Sequence, residues 1–164
     1  MTFSIRRLAS GDEAVVTLLA KQEADFDLDE RGEPLQLLTP EAARDYLADP
    51  NVLHWVAEEV ADEAAEGAAA AKVVVGHLLC HQLRMRAATP AELVLYEIGV
   101  RSRARRRGIG RALIDTALGW MKEHKMKAIW VLADNEGAIA FYRACGFSDD
   151  QGTAVYMLRE DETC

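Results

Sequence analysis

Three parts of this 164-residue chain carry residue types at spacings suited to chemistry. The first is Arg103-Ala-Arg-Arg-Arg-Gly-Ile-Gly-Arg-Ala-Leu113, where arginines crowd a Gly-x-Gly turn that opens an apolar-striped helix. Backbone N–H groups at a helix start lack intrahelical acceptors, and the helix dipole adds partial positive charge there. Glycines let the chain turn sharply and let a phosphate approach the backbone. The second is Glu97, which interrupts the apolar strand Val94-Leu-Tyr-Glu-Ile-Gly-Val100. A carboxylate there is costly unless it meets a cation, hydrogen bonds or water, so it is a candidate proton acceptor. The third is Asn135-Glu-Gly-Ala138-Ile-Ala-Phe-Tyr142-Arg-Ala-Cys-Gly146-Phe147, which places a tyrosine on a short helix after Asn135.

The first part predicts a site for a phosphorylated cofactor. Arg105-x-x-Gly108-x-Gly110 lacks the Lys-Ser/Thr pair that a nucleoside triphosphate loop needs for its terminal phosphates and magnesium. It also fails the dinucleotide pattern, which needs three glycines near a first strand and an acid about 20 residues on. Taken with Asn135-x-x-Ala138-x-x-x-Tyr142-x-x-x-Gly146-Phe147, the turn resembles the GNAT superfamily of acyl-CoA-dependent N-acetyltransferases. The resemblance is strongest from Leu93 to Phe147.

The resemblance implies an α/β fold with a mixed, mostly antiparallel central sheet flanked by helices, and acetyl-CoA as acyl donor. Its pyrophosphate would lie against Arg105, Arg106, Arg107, Gly108, Ile109, Gly110 and Arg111, chiefly on backbone N–H groups. Arg101 and Arg103 would face solvent or the ribose phosphate. Ile98, Gly99 and Val100 would border the acyl group, with the Val100 N–H supporting an oxyanion if the strand splays after Gly99. Asn135 and Ala138 would hold the pantetheine arm or fix the local turn, and Tyr142 would protonate the departing thiolate. Glu97 would take the proton of the attacking amine, directly or through water.

Charge suggests the acceptor. The chain carries a net charge of −8, unevenly spread. Residues 1–50 hold eleven acids against five bases, and residues 101–111 hold six arginines and no acid. An acidic chain argues against nucleic acid as a partner. The run Asp25-Phe-Asp27-Leu-Asp29-Glu30, together with Tyr96, Glu97, Asp134, Asp149 and Asp150, predicts a carboxylate-lined cleft for a polycationic amine. More loosely, Tyr96-Glu97, Ala133-Asp134 and Ala140-Phe-Tyr142 resemble the aminoglycoside acetyltransferases that modify the 3-amino group. Those enzymes usually carry Asp where this chain has Glu97. The other readings are a polyamine, small-amine or peptide N-acetyltransferase, and a non-catalytic CoA-binding sensor.

Elements must position these groups. Phe3–Leu8 reads as a strand, and Ser10 with Glu13 as a capped helix start leading to Val15, Val16, Leu18 and Leu19. Glu23 to Leu38 reads as an acidic loop. Thr39 caps a second helix with Pro40 at its first position. Val52–Ala57 and Val73–Leu79 read as paired strands around an Ala/Glu-rich segment, 58–72, which is either a hairpin insertion or a short helix. Leu93–Val100 reads as the central strand. Ile109, Leu113, Ile114, Ala117, Leu118 and Met121 share one helix face. Ala128–Ala133, Glu136–Ala144 and Thr153–Leu158 read as strand, helix and last strand.

At this length, and with half its residues hydrophobic, the chain is expected to form one domain, 1–164. It shows no membrane span and no basic-then-apolar leader. Cys80, Cys145 and Cys164 form no metal-like cluster and suit a reducing cytoplasm, with Cys80 and Cys145 as small core residues. None of His54, His77, His81 and His124 has a catalytic partner nearby in sequence, so core or surface roles are expected. Dimers are frequent in the superfamily, so a homodimer is compatible with the resemblance.

Overall fold

The computed structural model describes residues 3–26, 36–60, 72–86 and 91–149. The chain divides into two compact units, residues 1–132 and 133–164. The first unit holds a five-stranded sheet in the order β1-β2-β3-β4-β5. The strands are β1 (Phe3–Arg7), β2 (Val52–Val60), β3 (Lys72–Leu83), β4 (Glu92–Val100) and β5 (Ile129–Val131). All neighbours pair antiparallel except β4 and β5, which are parallel. The expected mixed, mostly antiparallel sheet is therefore present. β4 is not its middle strand among the described residues; β3 is.

Strand alternation gives the sheet two faces. One packs on α4 (Ile109–Glu123), whose Ile109, Leu113, Ile114, Ala117 and Met121 are buried as the periodicity predicts, while Leu118 is exposed. Gly76 on β3 makes this approach possible: a Cβ there would lie 2.9 Å from Ile109 Cγ2 and 3.2 Å from the Gly99 carbonyl oxygen. Trp55 of β2 meets Trp120 edge-on with ring centroids 6.4 Å apart. The other face carries Val56 and packs on α1 (Glu13–Lys21), α2 (Glu23–Phe26) and α3 (Pro40–Ala48) through Leu19, Phe26 and Leu47.

Local signals held in some places and were overruled in others. The Thr39 hydroxyl accepts the Ala42 N–H at 3.1 Å, and Pro40 opens α3. At α1 the N-cap is Asp12, not Ser10, and it makes no side-chain cap bond. The Asp12 carboxylate is instead held by the Ala9 N–H (2.9 Å) and Arg6 (2.8 Å). Val15 and Val16 are partly buried, and Leu18 is exposed. The segment expected as a loop from Glu23 begins with α2, because Phe26 is drawn into the core. Cys80 is buried as expected, but Cys145 is only half-buried.

The flanks of the Ala/Glu-rich segment are strand, with Val60 opposite Lys72; residues 61–71 lie outside the described residues. So does the strand expected at Thr153–Leu158. The second unit holds α5 (Glu136–Ala144), capped by Asn135, whose side-chain oxygen accepts the Ala138 N–H at 2.8 Å.

Candidate functional site

The sheet opens along β4. Pairing with β5 covers only Leu93, Leu95 and the residue between them. Across from β3, Leu79 faces Glu97 and Cys80 faces Leu95, so Tyr96 is an extra, bulged residue. The strand was expected to part after Gly99; among the described residues it leaves β5 after Leu95, and the bulge marks the place. The Arg101 N–H bonds the Val75 carbonyl at 2.9 Å. By alternation the Val100 N–H faces the other edge, toward the opening. Tyr96 is exposed there.

Gly99 leaves space that its neighbours fill. A Cβ there would sit 2.8 Å from His77 Nε2 and 2.9 Å from Phe26 Cβ. That space lets His77 reach Glu97: His77 Nε2 lies 3.9 Å from Glu97 Oε1. The Glu97 side chain is 30% exposed. Burial, with the charge of Glu23 on α2 adding to it, raises its pKa above the ordinary carboxylate value. A carboxyl group shifted upward is a stronger proton acceptor when ionised.

Two histidines expected in bland roles thus stand beside the candidate base. His77 Nδ1 lies 3.3 Å from His54 Nε2, and His54 Nδ1 lies 2.9 Å from the Tyr46 hydroxyl on α3. Burial pushes His54 down to about 3, helped by His77 and His81, and His77 down to about 4. Both rings are therefore neutral at pH 7. The sequence signal was faint: residues 46, 54, 77 and 97 sit on four elements, and only strand alternation relates any of them.

The cationic turn follows β4 directly. A short 3-10 turn, Ser102–Ala104, leads through Arg106 (φ 59°) and Gly108 (φ 81°), both left-handed, into the fifteen-residue α4. Nothing lies within 4 Å of a Cβ placed on Gly108. Ala112 N–H donates to the Gly108 carbonyl, so the N–H groups of Ile109 and Gly110 have no acceptor inside the helix. Left-handed residues at the start of a long helix fit a pyrophosphate. Ile109 is buried beneath the turn, while Arg106 and Arg111 are exposed.

The arginines divide by role. Arg101, expected near solvent, keeps only 12% of its side chain exposed. It bonds the Val74 carbonyl (2.7 Å), Asp25 (2.6 Å) and Gln22, and lies over the Phe26 ring at 4.9 Å. Arg105 folds back on the Val100 carbonyl at 3.0 Å. Arg107 pairs with Glu59 of β2. Arg103 is exposed.

Several of the acids expected to line an acceptor cleft have partners of their own or lie outside the described residues. Asp25 is held by Arg101. Asp27, Asp29, Glu30 and Asp150 lie outside the described residues. In the second unit, Asp149 accepts from Arg143 at 3.2 Å, and Asp134 accepts from the Asn135 amide at 3.0 Å. Asn135 there fixes the local turn as the helix cap, and Ala138 donates to that cap. Tyr142 is buried between Phe141 and Phe147, with ring centroids 5.3 and 5.4 Å away. Among the described residues no group of three or more His, Cys, Asp or Glu could hold a metal ion, and no helix is long and apolar enough to cross a membrane.

Known proteins share this architecture. An aminoglycoside acetyltransferase from an uncultured soil metagenomic sample, solved with trehalose, superposes with a TM-score of 0.74 at 23% identity, over 96% of this chain and 97% of that one. A ribosomal-protein-alanine N-acetyltransferase from Brucella melitensis biovar Abortus 2308 superposes with a TM-score of 0.70 at 18% identity, over 98% of this chain and 100% of that one. At such identities the likeness is one of fold. In sequence, an uncharacterized N-acetyltransferase of Methanocaldococcus jannaschii is 39% identical over 59 residues, which are 35% of this chain and 26% of that protein. The chain thus aligns with about a quarter of the length of that curated relative. The acetyltransferase (GNAT) family model matches residues 19–147, and the chain belongs to this family of acyl-CoA-dependent N-acetyltransferases.

Proposed function

We propose that this protein transfers an acetyl group from acetyl-CoA to a primary amine, with Glu97 as the proton acceptor. The observation that carries the reading is Glu97 itself: a half-buried carboxylate with raised proton affinity, at the bulge where β4 leaves β5. Acetyl-CoA would supply the activated acetyl thioester. Arg106, Arg107, Gly108, Ile109, Gly110 and Arg111 would bind its pyrophosphate by backbone N–H groups and arginine charge. Glu97 takes the proton of the amine, which is cationic in water and must be neutral to attack. The Val100 N–H, facing the opening, is the donor assigned to the developing oxyanion. The Tyr142 hydroxyl is the proton donor assigned to the leaving sulfur, with Asn135 and Ala138 beside the pantetheine arm.

The acceptor class we favour is a polycationic amine, foremost the 3-amino group of an aminoglycoside. It is supported by the net charge of −8, by the Tyr96-Glu97 pair at the opening, and by the aminoglycoside acetyltransferases among proteins of like fold. A peptide N-terminus is the second reading. It is favoured by the pairing of Asp25 and Asp149 with Arg101 and Arg143, which removes two free carboxylates.

Thiol release from acetyl-CoA, measured across aminoglycosides, polyamines and short peptides, tests both. Glu97→Gln is expected to lower turnover about 10²- to 10⁴-fold at neutral pH with acetyl-CoA binding retained. Unchanged turnover would remove Glu97 from the mechanism. Release with peptides alone would discard the polycation. Binding of acetyl-CoA without release on any amine would favour a CoA-binding sensor.

A further inference from the structure

Behind Glu97 lies a file of polar side chains that the acetyl-transfer reading leaves unused. It runs from Glu97 on β4 to His77 on β3, His54 on β2 and Tyr46 on α3, with separations of 3.9, 3.3 and 2.9 Å. His77 and His54 are buried. Phe26 closes one side of His77 edge-on, with centroids 5.1 Å apart, and Gly99 leaves no room for a side chain on the other. Two buried imidazoles are costly unless their polar atoms are satisfied by neighbours.

The two bonded contacts, His77–His54 and His54–Tyr46, can run in either direction. A carboxylate that is ionised only accepts, so it favours the direction in which His77 Nε2, the ring nitrogen facing it, carries hydrogen. Burial keeps His77 neutral, so its Nδ1 is then a bare acceptor. His54 Nε2 must donate to that nitrogen. His54 is also neutral, so its Nδ1 accepts, and the Tyr46 hydroxyl must donate to it. Burial and the charge of Glu97 raise the Tyr46 pKa, so its proton is always present to give. The gap of 3.9 Å between His77 and Glu97 exceeds a hydrogen bond by about 1 Å. The His77–Glu97 link is therefore one of charge and dipole in this structure, and the two bonded links lie behind it.

We infer that Tyr46, His54 and His77 form a one-way donor chain that positions the Glu97 carboxylate at the β4 opening and favours its ionised form. Tyr46, His54 and His77 are positioning residues: they act on the acceptor amine only through Glu97. The chain offsets the two influences that raise the Glu97 pKa, desolvation and the charge of Glu23. His54 is kept neutral chiefly by burial, with His77 and then His81 of β3 adding to it. The inference rests on Glu97 being the base.

The test is the pH profile of kcat/KM for wild type and Tyr46→Phe, with Glu97→Gln alongside. Tyr46→Phe removes the terminal donor and keeps the ring. The Glu97 ionisation limb is expected to move up by about half to one pH unit, a loss of about three- to tenfold on the acid side that recovers at high pH. A uniform loss at all pH values, with the limb in place, would mean Tyr46 only packs, and would overturn the chain. Nitrogen NMR of the wild-type imidazoles reads the same inference without activity. His77 and His54 are both expected as Nε2–H tautomers at neutral pH, and an Nδ1–H tautomer or an imidazolium at either would overturn it. Failure of the base reading is separate: it would appear as unchanged turnover in Glu97→Gln, whatever the tautomers.

Discussion

The cationic turn and the buried pocket of side chains packed behind Glu97 (His77 and His54) both adjoin β4, yet they handle charge in opposite ways. The turn lies at the end of the strand, where Arg103 and Arg106 are exposed and Arg107, 31% exposed, pairs with Glu59. The pocket lies on the strand's inner face, where burial strips charge from two imidazoles and raises the carboxyl. Partners in a solvated turn can be exchanged for those of an incoming anion at little cost. Protons in a buried file cannot be moved without changing the stability of the fold. If the turn binds phosphate and Glu97 moves a proton, the two tasks make different demands on one strand.

Acid is the strongest way to separate the two. His54 and His77 have folded pKa values of about 3 and 4, below the ordinary 6.5. Between those limits the unfolded chain binds protons that the native one refuses. Their contribution is therefore complete above about pH 6.5 and is lost as pH falls toward the folded values. Each histidine contributes a slope of about 1.4 kcal/mol per pH unit within that window. Glu97 works the other way just above the ordinary carboxylate range, because its raised value makes the native state hold an extra proton there. The net expectation is a stability that falls as pH drops from about 6.5 toward the folded histidine values, with Glu97 softening the fall at its acid end. Urea midpoints at several pH values measure it. A flat profile would mean that the two rings take up protons in the folded protein, and the contrast with the turn would disappear.

The same substitution at two glycines sharpens the contrast. Gly99→Ala puts a methyl 2.8 Å from His77 Nε2 and 2.9 Å from Phe26 Cβ, so both rings must shift. Overpacking of this kind costs about 1–3 kcal/mol. It should also move the Glu97 limb, since His77 is displaced. Gly108→Ala meets nothing within 4 Å, and its cost is the left-handed backbone alone, about 1 kcal/mol. Thermal melts rank the two. A larger loss at Gly108 would show that the pocket around Gly99 yields more readily than its packing implies.

These regions were also unequally legible. The turn announces itself because a left-handed residue before a long helix demands glycine, and Gly108 stands there among arginines. Local rules of that kind also gave the stripe of α4 and the Thr39–Pro40 start of α3. Glu97 stood out because a charge in an apolar strand is conspicuous. Tyr46, His54 and His77 did not. Each is unremarkable where it stands, and their meeting depends on strand order, register and the placement of α3 on one sheet face. The fate of the arginines was equally hidden, since Arg101 is captured by partners 76 and 79 residues away in the chain. The bulge at Tyr96 belongs to the same class, because register is a property of two strands and not of one.

The smallest expected effect lies on the turn. Glu59 holds Arg107 through both guanidinium nitrogens, with Arg107 31% and Glu59 14% exposed at the side chain. If the turn binds a pyrophosphate, that pair competes with the ligand for one cation. Glu59→Gln removes the competing charge and keeps the shape of the side chain. A part-exposed pair contributes about 0–1 kcal/mol to stability, so the melt should scarcely move. The KM for acetyl-CoA should fall by up to about fivefold, the same free energy read as affinity. The change should shrink in high salt, where an exposed charge is screened. Tyr46→Phe should leave acetyl-CoA binding alone while moving the pH limb, and Glu59→Gln should do the reverse. An acetyl-CoA KM that ignores Glu59 would mean that Arg107 is committed to β2, like Arg101 to β3, leaving the backbone of Gly108, Ile109 and Gly110 to hold the anion.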